Sequence, residues 1–152
     1  MKSEESHEVY LGLGSNLGDK EENIRRAVAL IHEQIGTVVR QSALFYSEPW
    51  GFESENQFVN AAICANTTLT PHQVLKGNKR IERLLGKTEA HATERKPQTS
   101  NLKPQTTYHD RPIDIDILLY DDLHINEPEL KIPHPLMQER DFVMIPLREI
   151  RD

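Results

Sequence analysis

The fold of this chain is constrained most by the second half of residues 108–120, where apolar and acidic residues alternate. Side chains two apart on a β-strand point the same way. Asp114 and Asp116 would therefore share one face of a strand. The opposite face would carry four apolar residues: Ile113, Ile115, Ile117 and Leu119. Strand interiors contain few aspartates, and adjacent carboxylates repel unless a cation or a shared proton lies between them.

The paired aspartates suit Mg²⁺, a hard cation that usually takes one or two protein carboxylates and completes its shell with phosphates and water. Arg111 stands just before the strand, where its guanidinium can meet an anion. The same residues would also fit an edge strand whose acidic face is merely solvated. On this stretch alone the two interpretations stand equal.

Composition narrows the class of protein. The chain has 152 residues, enough for a sizeable core, and we expect a single domain. A formal net charge of −6 argues against nucleic-acid binding, and a single cysteine, Cys64, excludes an internal disulfide. Apolar runs fall short of the roughly 20 residues of a membrane span, and residues 1–8 lack the apolar core of a signal peptide. We therefore expect a cytoplasmic protein without a membrane or nucleic-acid partner.

Periodicity and turn residues predict the order strand, helix, strand, strand, helix, strand. This is the split βαβ pattern of a ferredoxin-like α+β sandwich: an antiparallel sheet with a βαββαβ core and helices packed on it. The predicted strands are residues 9–14, 37–46, 57–67 and the strand of the aspartates, and the predicted helices are residues 20–35 and 70–85. Gly36 and Gly86 are expected to end the helices.

Smaller elements follow the fourth strand. Residues 123–125 and 130–132 are predicted to form a hairpin, and residues 136–150 a mostly helical segment that is interrupted at Pro146. Residues 1–8 are expected to be frayed. Residues 87–110 show no apolar period and are expected to form a long mobile loop. Because this loop leads directly to Arg111, a lid is favoured over a passive insertion.

The glycines of Gly12-Leu13-Gly14-Ser15-Asn16 match neither nucleotide-binding fingerprint, Gly-x-x-x-x-Gly-Lys or Gly-x-Gly-x-x-Gly. The favoured interpretation is a strand-to-helix turn that needs glycine dihedral angles. Lining of a pocket by the backbone of this turn is a secondary role.

Four aromatic residues lie near predicted loops and strand ends: Trp50, Phe52, Phe58 and Phe142. The last two would ordinarily be core residues. Two rings could also stack on a flat heterocycle while the amide of Asn60, which sits among apolar strand residues, reads its edge. His134 and Arg140 could join Arg111 in a cationic set that faces the carboxylates, as a polyphosphate with Mg²⁺ requires. Glu82 would ordinarily be a helix-surface charge, with a nucleotide contact as the alternative.

Taken in order, seven motifs resemble the 6-hydroxymethyl-7,8-dihydropterin pyrophosphokinase family over residues 10–150. They are Gly12-Leu13-Gly14-Ser15-Asn16-Leu17-Gly18, Glu48-Pro49-Trp50-Gly51, Phe58-Val59-Asn60-Ala61-Ala62, Arg80-Ile81-Glu82, Arg111-Pro112-Ile113-Asp114-Ile115-Asp116, Ile132-Pro133-His134-Pro135 and Arg140-Asp141-Phe142-Val143. The resemblance implies that ATP gives its β,γ-pyrophosphoryl group to the hydroxymethyl oxygen of the pterin, with AMP leaving, in folate biosynthesis. ATP and the pterin are therefore the expected substrates. We also expect the protein to be a monomer.

The resemblance also implies roles for individual residues. Asp114 and Asp116 match the ligands of two Mg²⁺ ions, and Asp116 could help to take the hydroxyl proton. The catalytic set adds Arg111 and Arg140, which with His134 match positions that face the triphosphate. The remaining matches are Glu82 and the Ile117 backbone for the nucleotide, and Ser47, Pro49, Trp50, Phe58, Asn60 and Phe142 for the pterin pocket.

Departures from the family pattern lie in the predicted lid. Gly86 is followed by Lys87, Thr88 and Glu89 rather than by a basic cluster, and lysine cannot reproduce the two-pronged hydrogen bonding of arginine. This leaves open a paralogue that binds pterin and nucleotide with little turnover. A nucleotidyl-transfer domain that acts on nucleic acid is a further alternative, which the acidic composition opposes.

Overall fold

The computed structural model describes residues 6–47, 58–90, 112–135 and 137–151. Its main sheet has five strands in the order β2-β4-β1-β5, with β3 paired alongside β4. The elements are β1 (His7–Ser15), α1 (Lys20–Gln34), β2 (Thr37–Gln41), β3 (Phe45–Ser47), β4 (Phe58–Thr67), α2 (Pro71–Ala90), β5 (Asp114–Tyr120), β6 (Ile125–Glu127), β7 (Leu130–Ile132), a 3-10 turn (Met137–Glu139) and α3 (Asp141–Ile150). All strand pairs in the sheet are antiparallel, which confirms the predicted α+β ferredoxin-like sandwich.

Capping residues fix where the two long helices begin. The Asp19 carboxylate accepts the Glu22 backbone N–H at 3.4 Å at the start of α1. At α2, the Gln73 N–H donates to Thr70 Oγ1 at 3.1 Å, while the Thr70 N–H donates to Gln73 Oε1 at 2.9 Å. These reciprocal bonds form a capping box.

The sheet has two differently covered faces. On one face α1 and α2 bury the main core, which includes Val9, Leu11, Ile63, Ile115 and Ile117. On the other face α3 covers only part of the sheet, through a smaller cluster: Tyr10, Ala62, Cys64, Leu118, Met137, Leu147 and Ile150. The remainder of that second face carries the polar residues of the candidate site.

The two glycines that were expected to end helices differ in outcome. The first helix does end just before Gly36, with Ile35 as its C-cap. The second helix does not end at Gly86 but continues to Ala90, so residues 87–90 belong to α2 rather than to the predicted loop. A single interior glycine costs a helix only about 1 kcal/mol relative to alanine, which the rest of α2 can absorb. Gly36 is needed for space, because a Cβ there would lie 2.3 Å from the Asn66 carbonyl oxygen.

Several boundaries also differ. The strand predicted over residues 37–46 is split into β2 and β3, because Ser42 turns its N–H to the Ala62 carbonyl and accepts the Ala62 N–H on its hydroxyl. His7 and Glu8 are not frayed: they belong to β1, and Asp121 binds both. The hairpin pairs Ile125–Glu127 with Leu130–Ile132, so its turn is shorter than predicted. Pro146 does not interrupt α3 but lies buried within it.

The described helices include none that is both long enough and apolar enough to cross a membrane. Residues 1–5 and 91–110, the remainder of the predicted frayed end and lid, lie outside the described residues.

Candidate active site

A strip without side chains runs between the two aspartates and Asn60. In the strand register Gly12 lies opposite Asp116 and Gly14 lies opposite Asp114, while on its other side Gly14 lies opposite Asn60. Residues directly opposite each other project from the same face of an antiparallel sheet. The carboxylates and the amide therefore flank an open floor made by the β1 backbone.

This arrangement corrects the predicted role of the glycines. Gly12 and Gly14 lie within β1 rather than in a turn, and Gly18 is the glycine that adopts a positive φ, of 76°. A Cβ on Gly14 would lie 3.0 Å from Asn60 Oδ1 and 3.8 Å from Phe58 Cδ1. Glycine at this position leaves room beside the amide of Asn60, so its role is steric rather than conformational.

The acidic strand follows the predicted alternation until a bulge. Ile113, Ile115 and Ile117 are buried toward α1 and α2, and Asp114 and Asp116 are half-exposed on the opposite face. The register then shifts, with Tyr10 opposite Leu119 and Leu11 opposite Ile117. The extra residue turns Leu119 toward the second cluster, so the prediction that it shares the face of the isoleucines is wrong.

The paired carboxylates can accommodate a divalent cation. Their Cα atoms lie about 7 Å apart at the usual rise of a strand. His134 contributes a third group, because its Nε2 lies 4.0 Å from Asp116 Oδ2. Burial lowers the pKa of His134, and the Asp114 charge opposes that shift only in part. A lower pKa favours the neutral form of His134, so burial opposes the positive charge that the predicted cationic set would need.

Two aromatic rings face each other next to the amide. The rings of Phe58 and Phe142 are nearly parallel, at 9°, with centroids 6.5 Å apart. Two successive carbon contacts of about 3.5 Å each need roughly 7 Å, so the centroid distance is close to what a flat molecule between the rings would need. Asn60 is 4% exposed and lies two positions from Phe58 on the same face of β4.

Arg140 joins the ring slot to the start of α3. It is the N-cap residue of α3, and its guanidinium carbon lies 5.5 Å from the centroid of Phe142. Burial lowers the pKa of Arg140, although a guanidinium stays protonated in proteins. A partly desolvated cation therefore stands beside the aromatic slot, within α3's positive N-terminal end.

Glu82 is not merely a helix-surface charge. Its carboxylate accepts the backbone N–H of Ile115 at 2.7 Å, which ties α2 to β5. Successive backbone groups alternate in direction along a strand, so those of Ile117 also point away from β1, toward the outer edge of the sheet. The predicted nucleotide residues Glu82 and Ile117 thus meet along one edge.

The remaining predicted residues are only partly placed. Arg111, Pro49 and Trp50 lie outside the described residues. Ser47 closes β3 opposite Phe58, which puts its backbone at the ring slot. The sequence indicates pocket lining by the backbone of Gly12 and Gly14 only as a secondary role, although their spacing of two, equal to that of the aspartates, favours a shared strand face.

The fold and site together describe an α+β protein whose paired carboxylates suit a hard cation and lie on the same open face as two parallel aromatic rings. The chain matches the family described as 7,8-dihydro-6-hydroxymethylpterin-pyrophosphokinase (HPPK) over residues 10–152. It therefore belongs to this family, whose members are pyrophosphokinases of folate biosynthesis.

Curated relatives carry the same activity in their names. A 2-amino-4-hydroxy-6-hydroxymethyldihydropteridine pyrophosphokinase of Porphyromonas gingivalis is 42% identical over 143 residues, which cover 93% of this chain and 89% of the relative. The protein of that name in Bacillus subtilis is 37% identical over 143 residues, which cover 93% of this chain and 77% of the relative. The chain thus spans most of the length of both relatives.

A solved structure supports the fold independently. The crystal structure of wild-type Plasmodium falciparum HPPK-DHPS aligns with 98% of this chain at a TM-score of 0.69 and 15% identity. This chain spans 42% of that longer protein. At this identity the likeness concerns the fold alone.

Proposed function

We propose that the open face transfers the β,γ-pyrophosphoryl group of ATP to the hydroxymethyl oxygen of 6-hydroxymethyl-7,8-dihydropterin, with release of AMP, through the residue roles set out below. The observation that carries this assignment is the register that puts Asp114 and Asp116 across a bare glycine strip from Asn60. Family membership supplies the reaction, and this register supports the proposal that its two substrates bind side by side.

Asp114 and Asp116 would hold two Mg²⁺ ions. Their half-exposed carboxylates are hard oxygen ligands, and the glycine floor leaves space beside them, so the residues fit the ion. Ions bound there would neutralise phosphate charge and stabilise the attacking and leaving oxygens of an in-line displacement. In this proposal Asp116 would also help to take the proton of the pterin hydroxyl.

The pterin would lie between Phe58 and Phe142, with the Asn60 amide hydrogen-bonding its polar edge. The parallel rings support this placement, since their separation is close to what a flat heterocycle needs. The backbone of residues 47–50 would form the pocket wall, and Ser47 already stands opposite Phe58 in the sheet.

The triphosphate would lie along the cationic side of the site, against Arg111, His134 and Arg140. A neutral His134 donates a hydrogen bond to a phosphate oxygen, and the approach of that negative charge favours its protonation. Adenine would lie at the outer edge of β5, next to the Ile117 backbone and Glu82. Residues 91–110 would close over the nucleotide as a lid.

Product analysis tests the proposal. The chain is incubated with ATP, Mg²⁺ and the pterin, and AMP is distinguished from ADP; we expect AMP that depends on the pterin. Asp116→Asn should abolish AMP formation, whereas Asp122→Asn, in the exposed turn after β5, should leave it intact. ADP in place of AMP, or a fully active Asp116→Asn, would contradict the assignment.

The same assay separates the alternative of a catalytically weak paralogue, which predicts pterin binding by calorimetry without AMP. The comparisons offer no support for it. We also infer a monomer that acts in the cytoplasm. Light scattering on the eluting protein tests the first inference, and fractionation of the source cells tests the second.

A further inference from the structure

The roles proposed above do not involve Asn78, whose side-chain amide is buried. Asn78 lies in α2 and is 1% exposed. Neither its Nδ2 nor its Oδ1 has a hydrogen-bond partner among the residues that the structure describes. Buried polar side chains are nearly always hydrogen-bonded, so this amide calls for a partner. A bound molecule that reaches this side of α2 could supply that partner.

Two hydrogen bonds place Asn78 along β5. The Tyr120 hydroxyl donates to the Leu69 carbonyl at 2.6 Å, and the Ile115 N–H donates to Glu82 at 2.7 Å. The two bonds show that α2 runs antiparallel to β5. Asn78 precedes Glu82 by one helical turn, or about 6 Å, which corresponds to about two strand residues beyond Ile115. Asn78 therefore lies level with Ile117.

The helical wheel decides which side of α2 carries the amide. At about 100° per residue, Asn78 lies between the centre of the buried side and the direction of Glu82. Gly77 lies on the other side, against α1, because a Cβ there would approach the Ile35 side chain to 3.1 Å. Asn78 thus stands on the β5 side of α2, where the Ile117 backbone points outward.

We propose that Asn78 is a specificity-determining residue for the nucleotide base, through hydrogen bonds of its side-chain amide to adenine. The inference rests on the proposed binding of ATP at the outer edge of β5. An amide offers an N–H donor beside a carbonyl acceptor. Adenine presents the complementary pair, the N6 amine beside N7, whereas guanine presents two acceptors, O6 and N7, at the same edge.

The selectivity of the enzyme for ATP over GTP tests this role. The ratio of kcat/KM for ATP to that for GTP is determined with saturating pterin, from the AMP and GMP formed. We expect the wild-type chain to prefer ATP, and Asn78→Leu to lower the ratio about tenfold or more, mainly through KM for ATP. Thermal unfolding verifies that the variant is folded. Asn78→Ala, which only removes atoms, should shift the ratio in the same direction.

Asn23 provides a matched control. It is also buried, but its Nδ2 donates to the Leu17 carbonyl at 2.9 Å and to Ser15 Oγ at 3.3 Å, in the turn after β1. Asn23→Leu should lower the melting temperature and leave the ATP-to-GTP ratio unchanged. Asn78→Leu should leave the melting temperature equal or higher, because it removes an amide without a partner.

The outcomes separate this inference from the function on which it rests. If Asn78→Leu and Asn78→Ala form AMP with an unaltered ATP-to-GTP ratio, the inference is overturned while the pyrophosphokinase assignment stands. A loss of stability at an unaltered ratio would likewise overturn it and would indicate a structural partner for the amide. A wild-type chain that forms no AMP would instead refute the proposed function.

Discussion

The substitution Gly14→Ala tests whether the bare strip exists to give the pterin room. The added Cβ would lie 3.0 Å from Asn60 Oδ1 and 3.8 Å from Phe58 Cδ1. Since Asn60 is 4% exposed, its amide can yield only by moving into its neighbours or toward the substrate. Loss of one well-aligned hydrogen bond of about 1.4 kcal/mol corresponds to a tenfold loss of kcat/KM for the pterin.

Stability should change little, because the effects on folding oppose each other. Alanine in a strand interior gains about 0.5–1 kcal/mol over glycine, and the close contact with Asn60 offsets this gain. Gly12→Ala is the matched control two residues away. Its Cβ would meet flexible Leu118 side-chain carbons at 3.4 Å, an ordinary contact, and Asn60 lies opposite the other glycine.

Steady-state kinetics with varied pterin, together with urea unfolding, measures both effects. We expect Gly14→Ala to raise KM for the pterin about tenfold with an almost unchanged free energy of unfolding. Gly12→Ala, which lies opposite Asp116 rather than Asn60, should change kcat more than KM for the pterin. An equal rise of KM for the pterin in the two variants, or an unaffected Gly14→Ala, would refute the steric role of Gly14.

Three further predictions follow from individual contacts. Glu82→Leu removes the acceptor of the Ile115 N–H and should lower the free energy of unfolding by about 1–3 kcal/mol in urea titration; an unchanged value would show that the bond is dispensable. Phe142→Leu removes one ring of the slot and should weaken pterin binding about 2- to 12-fold in calorimetry, from an aromatic pair of about 0.5–1.5 kcal/mol; equal binding would argue against the sandwich. Cys64 is buried, which raises the pKa of its thiol, so a thiol reagent at pH 8 should react slowly with the native chain and fast in denaturant; fast native labelling would contradict the burial.

Much of the architecture is readable from local signals in the chain. The capping pairs at Asp19 and Thr70 fix where helices start, because side-chain oxygens there satisfy free backbone N–H groups. Strict alternation gives the faces of the aspartate strand as far as Ile117. Local signals fail at Gly86, where the helix continues, because the cost of one glycine is small against the packing of α2.

The site depends on pairings that are distant in the chain. The carboxylates and rings stand out as residue types, but the register that sets Gly14 between Asp114 and Asn60 is a tertiary fact. The bulge at Leu118 and the bond from Ile115 to Glu82 also depend on how strands and helices meet. No local pattern predicts the burial that lowers the pKa of His134.

The proposed chemistry depends on Asp114 and Asp116 holding the metal ions between the phosphates of ATP and the hydroxyl of the pterin. A crystal structure with Mg²⁺, a non-hydrolysable ATP analogue and the pterin tests this arrangement. We predict metal ions within about 2.0–2.1 Å of oxygens from both carboxylates, with the pterin between Phe58 and Phe142. Ions bound by the phosphates alone, with both aspartates left to solvent, would contradict it.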